Sequence, residues 1–167
     1  MGSVPFHDPA NDSHIAPEDI RDQLRKDHQW ALAELESLPR EEDERAGMAR
    51  LRALRQAWVI HALAEESVVY RALESSHSSE RADERFVEHE LVGDLFSKME
   101  RLRAGSLEWT ARLKVVSDLI RRHIASEEND MFVRLGRHFD EAALREMGER
   151  FRLAHDKLML LESAKAA

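Results

Sequence analysis

The chain has 167 residues, 43% hydrophobic and 35% charged, a balance that suits one soluble globular domain with a real core. A formal net charge of -8 argues against general affinity for nucleic acid, and the absence of cysteine excludes disulfides, thiolate metal sites and thiol catalysis together. No run reaches the roughly 18 apolar residues needed to cross a membrane, and only six glycines and four prolines favour helices over a turn-rich β fold.

Residues 1–15 read as a flexible leader with two prolines. They lack the basic-then-apolar order of a secretory signal, and Phe6 stands where a myristoylation signal wants Ser or Thr, so a cytoplasmic location is the default expectation. A first helix is predicted from Pro17, at a first helical position with Glu18 and Asp19 at the positive end, to about Leu38. Its stripe Ile20, Leu24, His28, Ala31, Leu35, Leu38 advances by threes and fours, which is helical spacing. A second helix is predicted over about 42–74, with Leu51, Leu54, Trp58, His61, Glu65, Val68 and Ala72 on its stripe. "ESSHSSE", 74–80, reads as a polar link. The third helix, about 79–103, carries Ala82, Phe86, His89, Gly93, Phe96 and Met99, and "AGS" ends it, with Ser106 as cap of the fourth. The fourth stripe is Trp109, Leu113, Val116, Ile120, His123, Glu127, Met131, and "DEAALREMGERFRLAHDKLMLLES" reads as a fifth helix capped by Asp140. Short links make neighbours antiparallel. The expected fold class is therefore all-α, an up-down-up-down four-helix bundle with an additional C-terminal fifth helix, in one domain over 16–165.

Each bundle helix carries one histidine on its apolar stripe: His28, His61, His89 and His123. Glu65 and Glu127 follow two of them four residues on, and positions i and i+4 share a helix face. All four histidines fall near mid-helix, so antiparallel packing brings four imidazoles and two carboxylates to one level of the core. An unpaired buried carboxylate costs several kcal/mol, a large part of a domain's roughly 5–15 kcal/mol of stability. A cation resolves this by neutralising the carboxylates and engaging the nitrogen lone pairs. Nitrogen and oxygen donors without sulfur suit iron, manganese or zinc. Six donors exceed a four-coordinate structural zinc site and match two metals, each with two imidazoles and shared carboxylates. The Glu-x-x-His pairs of ferritin-type centres are not met, because the one such pair, Glu74 to His77, lies in the polar link.

The segments "DHQ" at His28, "HALAEE" at His61, "EHELV" at His89 and "HIASEENDMF" at His123, in the order H, HxxxE, H, HxxxE, resemble the hemerythrin family in its bacterial HHE cation-binding branch. The likeness covers roughly 17–153, including the trailing "FDEAALREMGERF". It implies a bundle around two non-haem irons with oxo or hydroxo bridges, His28, His61, His89 and His123 as terminal ligands, and Glu65 and Glu127 as bridges. Zinc and manganese are the alternative metals. Oxygen-carrying members have a further histidine where this chain has Gly93, and close the fourth helix with His-x-x-x-x-Asp rather than His123-x-x-x-Glu127. The pattern is more similar to members that sense iron or oxygen, or handle peroxide or nitric oxide.

The resulting expectation is a protein that binds O2 or a related small ligand, or senses iron or oxygen. A di-iron enzyme acting on hydrogen peroxide or nitric oxide and a structural metal-stabilised bundle are the alternatives. Protein partners, nucleic acid and membrane are not indicated by any motif. Gly93 either leaves space beside the metals or lets two helices approach. His155 and Tyr70 are weighed as groups reaching the site, with core-edge packing the default for each. Trp58 and Phe132 are expected as dry walls, Glu66 and Glu128 as surface groups, and His7, His14, His77 and His138 as solvated.

Overall fold

The computed structural model describes residues 17–75 and 82–165, and all regular structure among them is helical. The expectations for the leader 1–15, for most of the polar link and for His7, His14 and His77 lie outside the described residues. The first helix, Ile20–Ser37, starts three residues later than Pro17 because the Asp19 carboxylate caps it, accepting from the Arg21 backbone N–H at 2.8 Å. It ends in a 3₁₀ turn, Leu38–Arg40, that contains Pro39. Asp43 caps the second helix, Glu44–Glu65, which continues through a π turn, Glu66–Tyr70, into Arg71–Ser75. The third helix spans Ala82–Met99, shorter than expected at its C-terminal end. Ser106 caps the fourth, Leu107–Ser126, accepting from the Trp109 N–H at 3.2 Å. A second π turn, Glu127–Met131, leads into Phe132–His138. The fifth helix, Glu141–Lys165, begins where the Asp140 carboxylate accepts from the Ala143 N–H at 2.9 Å.

The first helix packs on the second and fourth, and the third packs on the same two, which closes a four-helix ring. The fifth helix lies across the first and second. At Gly148 it comes so near the chain just before the first helix that a Cβ would sit 1.9 Å from the Glu18 carbonyl oxygen. This is the expected bundle plus fifth helix.

The apolar stripes form two separate clusters. Leu35, Leu51, Leu54, Phe96, Leu113 and Ile120 are among the residues filling one end of the bundle. Ile20, Leu24, Val69, Leu73, Met131 and Leu135 are among those filling the other, where Leu144, Met147 and Phe151 of the fifth helix join them. Along the first, second and fourth helices the histidine falls where the two clusters meet, and on the third His89 lies one turn before Val92 of the first cluster, so the fold places its polar layer in mid-bundle between dry ends.

Three stripe positions shift. The π turn inserts a residue into the second helix, so Leu73 is buried where Ala72 was expected, and Ala72 is half-buried. On the third helix Arg85 and Val92 are buried, Gly93 is half-buried, and Phe86 is 36% exposed. Nothing is described of the Ala82 side chain.

Candidate metal centre

His28, His61, Glu65, His89, His123 and Glu127 are all buried and turn toward one another. The two carboxylates lie between two pairs of imidazoles. Glu127 places Oε1 2.9 Å from His123 Nε2 and Oε2 3.2 Å from His28 Nε2. Glu65 Oε2 lies 3.6 Å from His89 Nε2 and 3.9 Å from His61 Nε2. The donor atoms form two groups, each compact enough for one ion: Glu65, His89, His123 and Glu127, and His28, His61 and Glu127. Glu127 belongs to both.

Each imidazole is anchored through its outer nitrogen. His61 Nδ1 is 2.9 Å from Asp27, His89 Nδ1 is 2.8 Å from Glu66, His123 Nδ1 is 2.9 Å from Glu88, and His28 Nδ1 is 2.9 Å from Glu128. In each pair the carboxylate comes from the preceding helix, and the fourth helix serves the first, so the four links run once round the bundle. A proton on Nδ1 donated outward leaves the Nε2 lone pair facing inward, the tautomer a metal ligand needs. Glu66 and Glu128 are thus not the free surface groups expected. They flank Glu65 and Glu127 in sequence, as Asp27 and Glu88 flank His28 and His89. That adjacency was the available signal.

One π turn begins directly after Glu65 and the other at Glu127. On a regular α-helix, Tyr70 would sit five residues or about 500° round from Glu65, about 140° off its face. The π turn, closing between residues five apart, returns it to that face. Its hydroxyl lies 3.2 Å from Glu65 Oε2 and 3.1 Å from Glu127 Oε1, so it reaches the site, against the default expectation of packing alone. Phe132, five residues after Glu127, is turned inward in the same way and stacks on His28 with centroids 6.2 Å apart.

The Hemerythrin HHE cation binding domain family matches residues 19–135. The chain belongs to that family. No curated protein and no solved structure gives a significant match. Membership implies that the HHE domain binds a metal ion, and the structure offers a potential site in the buried His/Glu cluster.

The donors fit such an ion. His28 Nε2, His61 Nε2, Glu65 Oε1 and Glu127 Oε2 are buried without a hydrogen-bond partner; the 3.2 Å approach of His28 to Glu127 lacks hydrogen-bond geometry. The Nε2 atoms of His89 and His123 stand 3.0 Å apart. Two nitrogens at about 2.1 Å from one ion and at right angles to each other would be separated by about 3.0 Å.

Without an ion, protons carry the balancing charge. Burial, with Glu127 alongside, pushes Glu65 up to about 8. Burial also opposes ionisation of Glu127, but His123 and His28 outweigh it and hold Glu127 well below the usual carboxylate range. Burial disfavours a charged His123, yet Glu127 and Glu88 raise it to about 10. Burial lowers His89, which suits a neutral ring accepting from His123.

Trp58 packs against His61, His89 and His123, with centroids 6.1, 5.5 and 5.3 Å away, and with Phe132 it supplies the expected apolar walls. Arg85 was not anticipated, although it lies four residues before His89 on the same face. It is buried, with Nε 4.0 Å from Glu127 Oε1 and Nη2 3.4 Å from Asp130 Oδ2. His155 is buried beside Phe151, with Asp27 and His61 within electrostatic reach, and belongs to neither donor group. His138 is exposed, as expected. A cavity of about 10 Å³ borders the three-donor group, lined by His28, His61, Trp58, Ala31, Ala57 and Ile124 among others.

Proposed function

We propose that this HHE domain is a non-haem di-iron protein, with His28, His61, His89 and His123 as terminal ligands and Glu65 and Glu127 as bridges, that binds O2 or a related small ligand or senses iron or oxygen. The observation that carries this reading is the pair of overlapping donor groups sharing Glu127. A shared carboxylate with separate imidazole pairs suits two ions rather than one. Iron bound there would supply reversible redox chemistry and an affinity for small oxygen- or nitrogen-containing ligands.

The chain's own residues do the rest. The four outer carboxylates orient the imidazoles. Trp58 and Phe132 keep bulk water from the rings. The His28–His61 side borders a cavity sized for about one water molecule, walled by the apolar Trp58, Ala31, Ala57 and Ile124. That combination favours the His28–His61 side as the place where a small ligand sits. Tyr70 holds a proton on the two glutamates: burial raises its pKa and keeps the hydroxyl neutral. A neutral hydroxyl that donates hydrogen bonds at the carboxylates favours, as second reading, an enzyme acting on hydrogen peroxide or nitric oxide.

Elemental analysis of protein purified without chelators tests the reading, with optical spectra before and after reduction. About two irons per chain and near-ultraviolet bands that bleach on reduction are the expected result. Glu127→Ala should lose both ions, because it removes the donor common to both groups. Two irons retained in Glu127→Ala, or wild-type protein that folds fully without metal uptake, overturns it. Turnover of hydrogen peroxide above that of free iron, lost in Tyr70→Phe with iron retained, would select the enzyme reading.

A further inference from the structure

Gly93 lies inside the third helix, one turn beyond His89 on the same face. A Cβ built there meets nothing within 4 Å. Close helix packing therefore does not require glycine here; the missing side chain leaves open space. That space is part of a groove of about 490 Å³ between the second and third helices, within the size range of small-molecule sites and far larger than a diatomic needs.

The second helix contributes Trp58, Val59 and Leu63 to the groove, and the third contributes Phe86 and His89 around Gly93. Trp58 is a buried wall, while Phe86 and Leu63, 36% and 46% exposed, flank the opening. Three carboxylates, Glu66, Glu90 and Asp94, face one cation, Arg55, which is already engaged by Glu100 at 3.2 Å. An apolar slot with aromatic walls and a surplus of negative charge is complementary to a positively charged organic molecule. The body leaves water against Trp58 and Phe86, and the charged end gains from ring faces and carboxylates.

We propose that this groove binds a small organic cation with a flat apolar body, of the arylalkylamine type, as a second ligand of the HHE domain. Two contacts tie it to the metal centre. Glu66 is the carboxylate that anchors His89, so a cationic head on Glu66 competes with His89 Nδ1. Phe86 packs edge-on against Tyr70, centroids 5.3 Å apart, and the Tyr70 hydroxyl sits on both central glutamates. Binding in the groove needs no metal; its coupling to the centre rests on the metal reading above.

The test is a titration of metal-free protein with benzylammonium, followed by nitrogen–proton correlation spectra, with benzyl alcohol and benzoate as uncharged and anionic counterparts. Saturable shifts of the Val59, Leu63, Gly93 and Asp94 amides are expected with benzylammonium, with benzyl alcohol about tenfold weaker or worse and benzoate not saturating. Gly93→Leu, which fills the slot, should abolish the shifts, and Asp94→Asn, at an exposed carboxylate, should weaken binding about two- to fivefold. No saturation, equal affinity for the three probes, or wild-type affinity in both variants overturns the site. On zinc-loaded protein a changed Kd supports the coupling and an unchanged one removes it. Zinc content of the same sample reports on the metal centre, so a protein that binds benzylammonium but no metal sinks the metal reading and leaves the groove standing.

Discussion

Replacing Asp27 by alanine should weaken one metal-binding step and spare the other. Asp27 holds His61 Nδ1 at 2.9 Å, and its side chain is 16% exposed, so water only partly replaces it. Without that acceptor the buried imidazole keeps a donor with no partner, or turns to the wrong tautomer. Losing such an outer partner lowers metal affinity about 10- to 100-fold, which is about 1.4–2.7 kcal/mol. His61 belongs to the three-donor group alone, so the loss should fall on that step. Glu66→Ala acts through His89 and should weaken the step at the four-donor group instead. Competition against a chromophoric chelator at fixed pH resolves the two steps, and circular dichroism verifies that the helices remain. If both steps weaken equally in both variants, or neither weakens beyond about threefold, the outer carboxylates do not orient the ligands as described.

The same substitution at two glycines should have opposite signs. Gly93→Ala should stabilise the protein in urea by about 0.5–1 kcal/mol, since alanine suits a helix interior and meets no neighbour; a loss would show that the groove is tighter than drawn. Gly148→Ala should destabilise by about 1–3 kcal/mol, because its Cβ would stand 1.9 Å from the Glu18 carbonyl oxygen and the fifth helix must move away. Asp19→Ala should cost about 1 kcal/mol as a lost cap. Arg21 holds the Asp19 carboxyl below its usual range, so that stability is present above the unfolded pKa and fades as pH falls through the lowered folded value; a pH-independent difference would contradict this. Finally, His123 at about 10 and Glu65 at about 8 both hold protons at neutral pH. His28 is raised as well, against burial, by Glu127 and Glu128, so metal uptake should release at least about two protons and tighten as pH rises, measurable by calorimetry in buffers of different ionisation heat; uptake without proton release would refute that charge assignment.

Much of this was legible in the sequence because helical spacing and polarity coincide. The four stripes gave the bundle, and a histidine on each gave the level of the centre. Tyr70 was not legible as a contact, since the π turn that brings it to Glu65 has no signature in the pattern of threes and fours. The outer carboxylates were hidden for another reason. Glu66 and Glu128 lie one residue off the stripe, which on one helix means outward, but in a packed bundle means toward the next helix. Arg85 and Phe86 exchange the burial that periodicity assigned them, because the guanidinium has Glu127 and Asp130 to meet.

The circuit of carboxylate–imidazole links has a consequence beyond the metals. The apolar stripes repeat every three or four residues, so sliding one helix past its neighbours by a turn would still lay leucine against leucine. Hydrophobic matching barely distinguishes such a slip. The links do distinguish it: every helix gives one carboxylate and receives at one histidine, so any slip of about 5.4 Å carries two of the four links far outside hydrogen-bond range. The polar layer is therefore the vernier of the bundle, fixing an axial alignment that apolar contact area alone leaves loosely determined.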